Sequence, residues 1–184
     1  MRNSIKSVLF VLLCGAAMTS CDKKDEEIVP KTIMTYDGKE YELSKGLLID
    51  YGTFPPNEGN GQELFLSSSG VTIRESGGKI DSIYGRGHGI FFQLFGASSN
   101  QLGEGEYTFD FSQGPFKAKS FFYSYATFDN DFVDWDADLH EMIAGTITVK
   151  KINTEYSITF DCIENSGKHI TGFYKGALKI YDEK

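Results

Sequence analysis

Apolar and polar residues alternate with a period of two through most of this chain. From residue 32 onward, no window places apolar side chains at i, i+3, i+4 and i+7 over three turns. Strands rather than helices are expected. The candidate strands are residues 32–36, 39–43, 46–51, 63–67, 71–74, 89–95, 106–111, 119–128, 143–151, 155–162 and 169–181. Asp37-Gly38 separates the first two and predicts a two-residue hairpin, because both turn positions favour positive φ. Tyr156, Ile158, Phe160 and Cys162 share one strand face, which places Cys162 inside as a small apolar residue. In the last strand Ile170, Gly172, Tyr174, Gly176, Leu178 and Ile180 share one face, and Thr171, Lys175 and Lys179 the other. Short strands joined by Gly, Asn and Ser turns, with no helical crossovers, predict an all-β fold over residues 32–184. The expectation is a single antiparallel domain, a β-sandwich or a calycin-like barrel of roughly 8–11 strands.

Two segments depart from one-sided alternation. Phe91 and Phe95 oppose Ile90, Phe92 and Leu94; likewise Phe121, Tyr123 and Tyr125 oppose Phe122, Ala126 and Phe128. A sheet with one solvated face needs only one apolar set. The surplus set is either covered by loops or a second sheet, or it lines a groove. Tyr and Trp suit a groove because each joins an apolar body to a polar tip. Phe121, Tyr123, Tyr125 and Trp135 are therefore the candidate ligand-binding residues, in a chain that is 14% aromatic.

The first 31 residues follow a different pattern. Arg2 and Lys6 precede the apolar run Val8-Leu9-Phe10-Val11-Leu12-Leu13, and small residues lead to Met18-Thr19-Ser20-Cys21. This order is that of a secretory signal. Its apolar stretch of about 12 residues is well short of the ~20 that span a bilayer. The residues before Cys21 match a lipobox, so residues 1–20 read as a lipoprotein signal peptide and Cys21 as the lipidated residue. Residues 21–31, with Asp22-Lys23-Lys24-Asp25-Glu26-Glu27 and Pro30, read as an acidic tether. Cleavage before Cys21 removes two bases and no acid, deepening the net charge from −8 to −10. A phosphate-backbone binder needs a basic surface, so nucleic acid is excluded as a partner.

Candidate chemistry is sparse. Asp134, Asp136 and Asp138 mimic the opening of a Ca²⁺ loop, yet Leu139 stands where that loop needs Gly and Gly145 where it needs the bidentate Glu. Val133, Trp135, Ala137 and Leu139 alternate with these acids, as on a strand that shows carboxylates to water. No tight metal site is expected there. Gly85-Arg86-Gly87-His88-Gly89 precedes a strand rather than opening a helix, so it reads as a flexible turn and not a phosphate cradle. His88, His140 and His169 fall on different elements with no ligand spacing. No Gly-x-Ser-x-Gly nucleophile turn occurs. Neither catalysis nor a cofactor is expected.

Tyr36-Asp37-Gly38-Lys39, Leu102-Gly103-Glu104-Gly105-Glu106-Tyr107, Gly145-Thr146-Ile147-Thr148-Val149, Tyr156-Ser157-Ile158-Thr159-Phe160 and Gly167-Lys168-His169-Ile170-Thr171-Gly172 together resemble the small β-rich surface lipoproteins of Bacteroidetes. Those motifs are structural and carry no catalytic or binding residue. The resemblance implies that Lys24-Asp25-Glu26-Glu27 directs the protein to the outer face of the outer membrane; under proteobacterial sorting, Asp22 would instead imply retention at the inner membrane. The expected protein is non-enzymatic, anchored to the membrane through Cys21, and binds a small ligand, a glycan or an envelope protein. The alternative is a structural or accessory subunit of an outer-membrane assembly with no small ligand.

Overall fold

A computed structural model describes residues 30–133 and 138–184. The described residues form twelve strands and no helix: β1 (Ile33–Tyr36), β2 (Lys39–Glu42), β3 (Lys45–Thr53), β4 (Asn60–Ser67), β5 (Val71–Ser76), β6 (Lys79–Gly96), β7 (Gly105–Phe109), β8 (Ser120–Asp131), β9 (His140–Ile152), β10 (Glu155–Glu164), β11 (His169–Gly176) and β12 (Lys179–Asp182). The described residues are all-β, as their alternation predicts. Asp37 and Gly38 turn β1 into β2 with φ of 50° and 75°.

Hydrogen bonding runs along one path, β12-β3-β4-β6-β8-β7-β9-β10-β11-β1-β2, with β5 paired to β6 off that path. The ends of this path are tied by short links. Only Leu43 and Ser44 join β2 to β3, and only Ala177 and Leu178 join β11 to β12. Two residues span no more than about 10 Å between flanking strands, so the far ends of the sheet must lie side by side. The sheet curls over its own inner face. That face holds the main core, in which Leu48, Leu64 and Phe92 from one arm meet Val149, Ile158 and Ile170 from the other, all nearly inaccessible.

The pairing is not wholly antiparallel, contrary to the sequence expectation: β12 runs parallel to β3, and β7 parallel to β8. Chain reversal at tight turns determines only strands adjacent in sequence, whereas β12 meets β3 because the curl brings the ends together. The C-terminal alternation also breaks. Leu178 still faces the main core, but after the break at Ala177-Leu178 the parity changes, so Ile180 is exposed and Tyr181 is buried. Cys162 is fully buried, as expected, and burial pushes its thiol up to about 12.

The Gly85–Gly89 run lies inside β6 rather than in a turn, because the strand must pass tightly over the chain around Ser68. A Cβ at Gly87 would stand 2.1 Å from the Ser68 hydroxyl. Beyond this crossing, the first half of β6 and its partner β5 fold across the outer face. There Val71, Ile73, Ile80 and Ile83 cover Leu47, Ile49, Phe65 and Phe91 in a second apolar cluster. The cover is tied down where Tyr181 donates to Glu75 at 2.8 Å and Lys179 pairs with the same carboxylate.

β8 ends at Asp131, Phe132 is buried in the second cluster and Val133 is exposed, while β9 begins only at His140. Asp134, Trp135, Asp136 and Ala137 lie outside the described residues.

Candidate functional site

The candidate aromatic stripe on β8 is split by a β-bulge. Phe92 of β6 pairs with Ser124 and Leu94 with Phe121, so one residue on β6 faces two, Phe122 and Tyr123, on β8. The extra residue inverts the parity beyond it. Phe121 therefore turns into the main core, where it is fully buried, and Phe122 turns outward. This reverses the face expected for both, and it withdraws Phe121 from any surface site. Tyr123 is exposed and meets Tyr125 edge-on at 6.0 Å; Tyr125 is half-buried and stacks on Phe91 at 4.8 Å. The two tyrosines do share an outer face, but neither lines a cavity described here.

A cavity that combines several aromatic rings with a carboxylate and amides lies one step further along that face. It is a cleft of about 380 Å³ over the ends of β3, β4 and β6. One wall is a ring stack in which Phe116 lies 5.3 Å from Phe95 and 4.4 Å from Phe122. The opposite wall is Phe54, whose ring lies directly on Gly61; a Cβ there would come within 2.9 Å of the ring. Only glycine leaves that surface free. Asn57 locks the two walls together, since its amide donates to the Phe54 carbonyl and its carbonyl accepts from the Phe116 N–H, both at 2.9 Å. The backbone repeats the link through Glu58 N–H and the Phe116 carbonyl at 2.9 Å.

The floor is polar. Glu63 of β4 and Gln93 of β6 are cross-strand partners, both half-buried. The Tyr51 hydroxyl donates a long hydrogen bond of 3.4 Å to Glu63. Burial raises the Glu63 carboxyl above the usual carboxylate range, and this one hydrogen bond does not offset it. Burial, with the Glu63 charge second, pushes the Tyr51 hydroxyl up to about 12. Burial, then Glu63, then Tyr123 do the same to Tyr125.

Sequence reasoning missed Tyr51, Phe54, Glu63, Gln93 and Phe116. The usable signal was the isolated acid in Glu63-Leu64-Phe65-Leu66, a carboxylate on an otherwise apolar strand. Four other hollows have larger volumes, and in two of them the charged side chains are already engaged. In the hollow beneath the β5–β6 hairpin, of about 650 Å³, Arg74 and Asp81 already pair at 2.7 Å. In the one between β11 and β12, of about 620 Å³, Lys45 donates to backbone carbonyls and Lys179 pairs with Glu75.

The histidines lie apart. His140 and His88 flank the stack of Tyr36 and Tyr41 on Phe128, whereas His169 pairs with Asp161 at 2.7 Å. Among the described residues no three His, Cys, Asp or Glu side chains converge to hold a metal ion. Comparison with protein-family models, curated proteins and solved structures finds no match to this chain.

Proposed function

We propose that this protein is a lipid-anchored, non-enzymatic binding module at the cell surface whose ligand occupies the cleft between Phe54 and Phe122. The observation that carries this reading is the combination within one cavity: aromatic walls pinned by Asn57, a partly desolvated carboxylate and an amide on the floor, and a volume in the range of small-ligand sites. A protein partner fits less well. The most exposed apolar side chains, Phe111, Val133 and Ile152, lie on three separate elements, and scattered exposure of this kind needs no interface to explain it. The anchor rests on the residue order before Cys21, and the outer-membrane placement on the resemblance described above.

We further propose that the curled sheet belongs with calycin-like half-barrels rather than sandwiches. A continuous hydrogen-bonded path, with its ends joined by two-residue links, supports this, since a sandwich divides its strands between two sheets.

The binding reading is tested by amide chemical shifts on titration with a panel of oligosaccharides and small organic compounds. Perturbations are expected to cluster at Tyr51, Glu63, Gln93 and Phe122. Clustering on the outer face of β9 to β11, or no perturbation at millimolar concentrations, would overturn it. For the anchor, Cys21→Ser is expected to move the protein into the aqueous phase of a detergent partition. Membrane association equal to that of the unaltered protein would refute lipidation.

A further inference from the structure

The chemistry of the cleft points beyond a generic small ligand. We infer that it recognises an organic ammonium group, held between aromatic faces against the Glu63 carboxylate; this rests on the binding reading given above. Glu63 makes no ion pair among the described residues, and no lysine or arginine lines the cleft. A carboxylate drawn out of water with no counter-charge is costly. A ligand cation removes that cost at the moment of binding.

The walls favour the same charge. The faces of aromatic rings carry partial negative charge and attract cations, most strongly where water is excluded. Tyr51, Phe54 and Phe122 all line the cavity that contains Glu63. The protein's net charge of −8 adds a long-range attraction of the same sign.

A neutral sugar is less well served. Sugar hydroxyls need several free donors and acceptors, yet both ends of the Asn57 amide are occupied by Phe54 and Phe116. Tyr51 is turned toward Glu63. That leaves the Gln93 amide and the unpartnered Gln62 side-chain carbonyl as the neutral polar groups. A methylated or primary ammonium needs only the carboxylate and the rings.

The test compares choline with 3,3-dimethylbutan-1-ol, which replaces the quaternary nitrogen by carbon and keeps the shape. Choline is expected to bind about tenfold or more tightly than the neutral alcohol by titration calorimetry or NMR. Glu63→Gln should cut the preference to the smaller part that the aromatic rings supply, and an undiminished preference would refute the role of Glu63. Choline affinity should also fall as the pH is lowered through the raised Glu63 carboxyl, because the protonated acid no longer offers charge. Equal binding of the two compounds at the cleft would overturn the ammonium inference while leaving the binding reading intact. If neither binds there but an oligosaccharide does, the inference again fails alone. If nothing binds there, both fail. Far-ultraviolet circular dichroism of Glu63→Gln separates lost selectivity from lost folding, and rescue of the preference by Glu63→Asp would show that the carboxylate charge is responsible.

Discussion

The outer face of β3, β4, β6 and β8 has two halves that start from similar strand chemistry and end differently. In one half, Phe65 and Phe91 stack at 3.9 Å beneath the β5–β6 hairpin, and Phe132 closes the edge. In the other, Phe95 and Phe122 have only Phe54 and Phe116, delivered by loops, for cover. The hairpin brings four apolar side chains, Val71, Ile73, Ile80 and Ile83, over its half, whereas the loops contribute one ring each. Both sides of β6 are apolar along its second half, so the difference lies in what crosses above the strand. An aromatic surplus becomes core under a lid and a cleft wall without one.

Two carboxylates on neighbouring strands show a second contrast. Asp50 lies fully buried on β3 and accepts from Gly52 N–H at 2.9 Å, from Asn100 N–H and from the Ser99 hydroxyl, with Lys184 at 3.4 Å. Burial works to raise its carboxyl, but the Asn100 and Gly52 amides and Lys184 outweigh it and hold it below the usual range. Glu63, one strand away, has a single long hydrogen bond and is shifted the opposite way. The supply of donors, not burial alone, sets the sign.

Substitution should widen these contrasts. The largest effect is expected for Phe91→Ala, which opens a hole under the hairpin and should cost about 3–5 kcal/mol in urea denaturation. Phe122→Ala, at the half-open wall, should cost less than about 2 kcal/mol. Equal losses would mean that the two halves are equally packed. Asp50→Ala comes next. It strands the amides of Gly52 and Asn100 and should cost about 2–3 kcal/mol at pH 7. Because the folded carboxyl is depressed, its contribution is present above the unfolded pKa and is lost as pH falls through the lower folded value. The gap between the variant and the unaltered protein should therefore narrow in acid, and a gap independent of pH would contradict the donor account. The smallest effect has the opposite sign. The Glu63 carboxyl is raised, so it contributes stability at low pH that is lost as pH rises through the folded value. Glu63→Gln should then raise the urea midpoint slightly at pH 7 and leave it unchanged below about pH 4, under the ordinary glutamate pKa. A lower midpoint at pH 7 would show that Glu63 has a counter-charge in the folded protein.

Much of this was legible along the chain. Alternation located most of the strands, though not the first half of β6 or the break between β11 and β12; Asp37-Gly38 marked the first hairpin, and Tyr156 to Cys162 an inward-facing row, because each depends on neighbours within a few residues. The surplus of aromatics at residues 89–95 and 119–128 correctly marked the two-sided part of the sheet. Its site did not follow. The bulge at Phe122 and Tyr123 exchanges the faces of Phe121 and Phe122, and nothing in Ser120-Phe121-Phe122-Tyr123 announces it, since it exists only relative to β6.

What the sequence determined by itself is the class of fold, the position of most strands and the abundance of rings, for these follow from local period and composition. Only the tertiary structure decided that β12 lies parallel to β3, that the β5–β6 hairpin covers one half of the outer face, and that Asn57 draws Phe54 and Phe116 over Glu63. Each of those depends on which distant segments meet, and a contact between residues 59 positions apart leaves no mark on the local pattern of either.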